Sequence, residues 1–133
     1  MAKMKINYLI DTHILIWYGE GDRRLNPSIF DEMRKPSSKV FISHATFWEI
    51  TIKKALRKLE FSAPVSRFRD LATEYSFQIF RFNHYERLEL LPHHHNDPFD
   101  RMLIAQAIAE DFTIITQDKK FATYEHQVKI LWN

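Results

Sequence analysis

Short runs rich in β-branched and aromatic residues alternate along this chain with segments of helical period, and that alternation is the strongest constraint on its fold. The candidate strands are Ile6 to Ile10, Val40 to Ser43, Phe77 to Phe80, Thr113 to Thr116 and Val128 to Leu131. Between them, the segment from Pro64 sets Val65, Phe68, Leu71, Ala72 and Tyr75 on one apolar stripe. The segment after Asp97-Pro98 does the same with Phe99, Leu103, Ile104, Ala107 and Ile108. Asn26-Pro27 and Ser62-Ala63-Pro64 read as helix starts, with a capping side chain and a proline preset for the first turn. Strands that alternate with helices build a parallel sheet covered on both faces. The expected fold is therefore α/β, a three-layer α/β/α arrangement around a central parallel sheet of about five strands. A chain of 133 residues that is 45% hydrophobic closes one core, so a single domain over residues 1–133 is expected.

Charge and residue usage narrow the chemistry. Lys and Arg number 19 against 17 Asp and Glu, a net charge of +2, so any grip on a polyanion has to be local. Cysteine is absent, which removes disulfides, thiolate nucleophiles, zinc-thiolate sites and iron-sulfur clusters, and is in keeping with a reducing compartment. The glycines are Gly19 and Gly21, too few for a Walker loop or a dinucleotide fingerprint. After Lys3 and Lys5 the apolar stretch Tyr8-Leu9-Ile10 stops at Asp11, too short for a signal-peptide core. The longest apolar run, Ile14 to Tyr18, falls far short of a membrane span. A soluble cytoplasmic protein with no membrane partner is the expectation.

In open parallel sheets the C-terminal strand ends and the helix N-termini that follow them form a crevice, and four acids map to that edge. Asp11 follows the first strand, Glu49 lies early in the helix after the second, Asp100 opens the helix after Asp97-Pro98, and Asp118 follows the fourth strand. Each has an ordinary structural explanation. Asp11 can cap a helix, Thr46-x-x-Glu49 has the form of a capping box, Asp97-Pro98-x-Asp100 suits a first helical turn, and Asp118 suits a turn. Together, however, crowded carboxylates repel one another and call for a compensating cation. Oxygen donors without cysteine suit Mg²⁺ or Mn²⁺. A carboxylate-held divalent ion suits phosphodiester hydrolysis, and Lys53 and Arg57, on the helix face of Glu49, are available for flanking phosphates. Ordinary i to i+4 pairing of Lys53 with Glu49 is the competing reading.

The runs Leu9-Ile10-Asp11-Thr12-His13, Trp48-Glu49-Ile50 with Lys53 following, Leu91-Pro92 leading to His95-Asn96-Asp97-Pro98-Phe99-Asp100-Arg101, and Thr116-Gln117-Asp118 with Phe121 resemble the PIN-domain family. Within that family they resemble the VapC-type toxins of toxin-antitoxin pairs. The resemblance spans nearly the whole chain, and Asp-Pro-Phe-Asp-Arg is its most specific part. It implies a PIN-like fold and a metal-dependent endoribonuclease acting on RNA, commonly a homodimer and silenced by a cognate antitoxin. Carried over residue by residue, the catalytic acids are Asp11, Glu49, Asp100 and Asp118, and Asp11, Asp100 and Asp118 form the metal set. Asn96, where relatives often have a basic or small residue, and Gln117, where Asn is frequent, are departures that bear on substrate preference rather than activity.

Other features read both ways. His93-His94-His95 has the look of a metal tract, but imidazoles beside an oxygen site suit a softer ion than Mg²⁺, so a loop without a ligand role is expected. Trp17 reads as packing, and Thr116 either bonds an acid or a metal-bound water or simply ends a strand. A response-regulator receiver needs a phosphorylatable Asp after the third strand, where this chain has Phe80-Arg81-Phe82-Asn83. A haloacid-dehalogenase phosphatase needs an acid where His13 stands. The remaining rival is a non-catalytic module whose acidic groove anchors a basic peptide, and metal-dependent RNA cleavage separates the two.

Overall fold

The five apolar runs are strands in the computed structural model, which describes residues 5–59 and 63–133. Among the described residues, β1 (Ile6–Ile10), β2 (Ser38–Ser43), β3 (Gln78–Phe80), β4 (Thr113–Thr116) and β5 (Lys129–Trp132) form one sheet ordered β3-β2-β1-β4-β5. Every pairing is parallel. Six helices accompany them: α1 (Thr12–Glu20), α2 (Pro27–Arg34), α3 (His44–Ala55), α4 (Val65–Glu74), α5 (Tyr85–Leu90) and α6 (Pro98–Glu110). A 3₁₀ turn, Lys119–Tyr124, precedes β5.

Because successive strand residues point to opposite faces, the central strands feed two separate cores. Tyr8, Ile10, Val40, Ile42 and Ile115 pack on one face against α1, α2, α3 and α4 through residues such as Ile14, Leu15, Ile29, Ile50, Phe68 and Leu71. Leu9, Phe41 and Ile114 pack on the other against Leu103, Ile104 and Ala107 of α6 and against Phe121 and Tyr124. Fully burying one such side chain contributes roughly 1.5–3 kcal/mol, so the two apolar layers hold the sheet between them. This is the three-layer α/β/α arrangement that the alternation predicts. Among the described residues no helix is long and apolar enough to cross a membrane.

Element bounds shift where a backbone group is already committed. The N–H of Phe77 closes the end of α4 on the Ala72 carbonyl, so β3 begins one residue later than the apolar run. The N–H of Val128 likewise bonds the Tyr124 carbonyl, and β5 starts at Lys129. Pro27 takes the first position of α2 as expected, but the Asn26 side chain makes no capping bond. The expected cap Ser62 lies outside the described residues, and α4 begins at Val65 with Pro64 at its N-cap. Helix α5 had no apolar stripe to announce it, since none of its residues is buried.

The strand order fixes where a site can form. The chain runs outward from β1 through β2 to β3, then returns to add β4 on the other side of β1. A crevice opens at that reversal, beyond the C-terminal ends of β1 and β4, where the residues that follow both strands face each other. Asp11 and Asp118 stand at those two ends.

Candidate functional site

Each of the acids occupies a position that local backbone chemistry explains, and tertiary packing then gives it a second use. Asp11 is the N-cap of α1: Oδ1 accepts the Ile14 N–H at 3.0 Å, and Oδ2 accepts the Thr116 hydroxyl. Thr116 in turn accepts the Asp118 N–H at 3.0 Å, so one hydroxyl ties the loops after β1 and β4 together. Asp118 caps the 3₁₀ turn by accepting the Lys120 N–H at 3.0 Å. Asp97 is the N-cap of α6 and accepts the Asp100 N–H at 2.9 Å, which fixes the first turn from which Asp100 projects.

Glu49 departs from the capping-box expectation. The N-cap of α3 is Ser43, whose hydroxyl accepts the Ala45 N–H, while the buried Thr46 hydroxyl has no hydrogen-bond partner. Glu49 sits a turn and a half into the helix and faces inward, where Oε1 accepts the Thr12 hydroxyl and Oε2 accepts the Lys53 ammonium.

These side chains converge. Asp11, Glu49, Asp97, Asp100 and Asp118 line one cavity of about 180 Å³, joined by the cations Lys53 and Lys120 and by His13 and His95. One ligating atom from each of Glu49, Asp97 and Asp100 lies within 4.8 Å of the other two, and the same holds for His95, Asp100 and Asp118. Asp100 belongs to both groups. Asp11 lines the cavity but falls outside both groups, its two oxygens being engaged as described. A larger cavity of about 370 Å³, lined by Phe47, Trp48 and Val65 among others, contains no acid.

The electrostatics of the cavity suit a cation. Burial pushes the Asp11 carboxyl up to about 6, helped by the charges of Glu49 and Asp118 and opposed by the bonds from Thr116 and Ile14. Burial also dominates at Asp100, where Asp97 and Glu49 add to it and His95 opposes it, and the carboxyl is pushed up to about 7. Two carboxyls held so far above their ordinary range mark a place where negative charge is costly until something positive arrives. The oxygen-rich donor set and its spacing fit a hard divalent ion.

Of the two basic residues, Lys53 takes the i to i+4 pairing with Glu49 of the competing reading, and Arg57 leaves the expected helix face. Lys53 turns into the cavity and pairs with Glu49 and, at 3.5 Å, with Asp97. Helix α3 ends at Ala55, and Arg57 follows it in the left-handed region at φ 58°, exposed and off the face of Glu49. The helical register that put Arg57 two turns beyond Glu49 does not extend that far.

The His93–His95 run is expected to be a loop without a ligand role, but His95 belongs to the site. It is buried, and its Nε2 lies 2.8 Å from Asp100 Oδ2. The Asp97 N–H points at its Nδ1 at 3.5 Å, which assigns the ring proton to Nε2 and makes His95 the donor. His93 reaches only Asn96, so the three histidines are not equivalent. The signal available was position: His95 immediately precedes the helix start that carries Asp97 and Asp100.

The loop that delivers His95 is held by Tyr124, whose buried hydroxyl donates to the Pro92 carbonyl at 2.6 Å and accepts from the His94 N–H at 3.0 Å and from Arg101 at 3.1 Å. Tyr124→Phe removes three hydrogen bonds but leaves the Pro92 carbonyl bonded to the His94 N–H and to Arg101, so a loss of about 1 kcal/mol in urea-unfolding free energy is expected. An unchanged unfolding midpoint would show that the loop is held by other contacts.

Comparison with known proteins places these features in context. A family model described as the PIN domain matches residues 8–127. No curated protein matches the chain. Among solved structures, the chain is similar to a chain of VapBC2 from Rickettsia felis, bound to a DNA fragment from its promoter, at 17% identity and a TM-score of 0.68, covering 96% of this chain and 98% of that one. It is similar to a chain of a toxin-antitoxin complex from Klebsiella pneumoniae at 22% identity and a TM-score of 0.63, covering 93% and 95%. VapBC-5 from Mycobacterium tuberculosis matches at 15% identity and a TM-score of 0.61, covering 95% and 96%. At these identities the likeness is one of fold.

Proposed function

The chain belongs to the PIN-domain family, and from that premise we propose that it is a Mg²⁺- or Mn²⁺-dependent endoribonuclease, the toxin of a toxin-antitoxin pair. The observation that carries the reading is the convergence of five carboxylates from four elements on one small cavity, with the carboxyls of Asp11 and Asp100 pushed up to about 6 and about 7. A purely structural set of helix caps has no reason to share a cavity at that electrostatic cost.

In this proposal Asp11, Asp100 and Asp118 hold the ion, and Glu49 completes the catalytic acids. When bound, the ion supplies an activated water and neutralises the charge that grows on the phosphate during in-line displacement. The chain's own residues do the rest. Asp97 and the Asp100 N–H fix the first turn of α6, and His95 holds the Asp100 carboxylate by a hydrogen bond. Thr116 locks Asp11 against Asp118, and Thr12 holds Glu49. These bonds set the carboxylates before substrate arrives, which is where such a site gains its rate. Lys120, exposed on the cavity wall, is placed to meet an entering phosphate, while Arg57 stands farther out, beyond the end of α3. Lys53, the other cation expected to meet a phosphate, lines the same cavity, where it pairs with Glu49 and Asp97.

The proposal includes a cognate antitoxin, a homodimer and a cytoplasmic location. It draws on the sequence resemblance to VapC-type toxins and on the similar structures from Klebsiella pneumoniae and Mycobacterium tuberculosis, which belong to toxin-antitoxin systems. The experiment is incubation of the purified chain with a mixed RNA pool in Mg²⁺, in Mn²⁺ and in chelator. Cleavage in either metal and none in chelator is expected. Intact RNA under all three conditions would return the chain to the role of a binding module with an acidic groove.

A further inference from the structure

We propose that Lys53 is a built-in counter-cation that holds the Glu49–Asp97 side of the cavity, so that the chain takes one divalent ion, on the Asp100–Asp118 side, and gains a second only when the ammonium is removed. The inference rests on the metal-dependent reading above and goes beyond it by fixing how many ions the site admits and what sets that number.

Lys53 lies four residues after Glu49 on α3, so the two side chains share a face, and its Nζ bonds Glu49 Oε2. The same Nζ lies 3.5 Å from Asp97 Oδ2, a residue on the opposite wall of the cavity. The ammonium therefore bridges two of the three carboxylates in the Glu49–Asp97–Asp100 group. The remaining oxygens of those two acids are spoken for: Glu49 Oε1 by the Thr12 hydroxyl and Asp97 Oδ1 by the Asp100 N–H. An ion bound to this group has to take the two oxygens that Lys53 occupies, or sit close to a positive charge that repels it. Lys53 is only partly exposed, at 30% of its side chain, so water does little to screen that repulsion.

The opposite side of the cavity is arranged differently. Asp118 uses Oδ1 to cap the 3₁₀ turn, and Asp100 uses Oδ2 to accept from His95, which leaves one oxygen of each without a hydrogen-bond partner. Lys120 lines the cavity there but forms no ion pair among the described residues. The two groups thus differ in one respect that matters for a cation: one already contains a cation and the other does not. A Lys at this position acts as a fixed, monovalent occupant that lowers the charge of the empty site without blocking the remaining oxygens of Asp100 and Asp118.

The test is direct counting of bound metal. Mn²⁺ alone is titrated into the metal-stripped full chain at neutral pH, and free aqua-Mn²⁺ is read by electron paramagnetic resonance for the wild type, Lys53→Met, Lys53→Gln and Lys53→Arg. The wild type and Lys53→Arg are expected to bind one ion. Lys53→Met and Lys53→Gln are expected to bind a second ion with affinity roughly tenfold or more above any second event in the wild type, the size expected for losing one partly buried charge interaction. Circular dichroism checks that each variant is folded, and two ions in the wild type would overturn the proposal without any variant. Identical isotherms for the wild type, Lys53→Met and Lys53→Gln would also overturn it, and if Asp100→Asn then lost its ion, the metal-dependent reading would survive. Absence of Mn²⁺ binding in the wild type would remove both.

Discussion

Asp100→Asn is expected to abolish RNA cleavage, lowering kcat by at least about a hundredfold to a thousandfold, while the metal-free protein melts at the same temperature as the wild type or above it. The expectation follows from the position of this one carboxylate. Asp100 is the member common to both groups of potential ligands, so its charge serves any ion that the cavity holds. Its removal costs the fold little, because asparagine has the same shape and its carbonyl oxygen can still accept the His95 Nε2–H that Asp100 Oδ2 accepts. The N–H that Asp97 accepts belongs to the backbone and is unaffected. Electrostatically the change is favourable in the empty site, since it deletes a carboxyl that Asp97 and Glu49 both disfavour as an anion. Activity and stability should therefore move in opposite directions, which a misfolded variant cannot imitate. Gel analysis of RNA cleavage in Mg²⁺ and thermal melts in chelator measure the two. Cleavage within tenfold of the wild type would reject Asp100 as an essential residue, and a large drop in melting temperature would show that its role is structural.

The site was partly legible before the structure because acids that follow parallel strands are gathered by topology. Asp11 comes directly after β1 and Asp118 two residues after β4, and once those runs are recognised as neighbouring parallel strands the two acids must share an edge. Asp97 and Asp100 were legible for a different reason: proline after Asp97 marks a helix start, and a first turn holds its side chains close to the strand ends. What could not be read were relations across elements. Whether Lys53 points along its helix to Glu49 or outward to solvent depends on Asp97 lying across the cavity, which no spacing within α3 reveals. The role of His95 depends on Tyr124, more than two dozen positions away, pinning the loop. The capping-box alternative for Thr46-x-x-Glu49 fails because that pattern is local, whereas Ser43 takes the cap at the end of β2. The failure at Arg57 is also one of boundary, because α3 stops at Ala55 and the register was extended past its end.

Cleavage measured at limiting Mg²⁺ is expected to fall steeply as the pH drops below 7 and to be restored by saturating Mg²⁺. Asp100, pushed up to about 7, and Asp11, pushed up to about 6, have to lose their protons before they can serve an ion. Below the first value one proton competes with the metal, about tenfold per pH unit, and below the second two compete, approaching a hundredfold per unit. The stability of the empty protein should run the other way. Both carboxyls have folded values above the ordinary 3.8, so between that pH and about 7 the folded chain binds more protons than the unfolded one. Its unfolding free energy then decreases as the pH rises through this window, because the anions are tolerated less well in the cavity than in water. Asp100→Asn should flatten that slope, leaving Asp11 at lower pH and the opposing contribution of His13, whose burial holds its imidazole below the usual range. Profiles between pH 5 and 8 at two Mg²⁺ concentrations, with chemical unfolding in chelator over the same range, test both halves. Equal acid losses at limiting and saturating Mg²⁺ would mean that protons act elsewhere than on the ligands. A metal-free pH slope that Asp100→Asn left unchanged would contradict the raised carboxyl of Asp100.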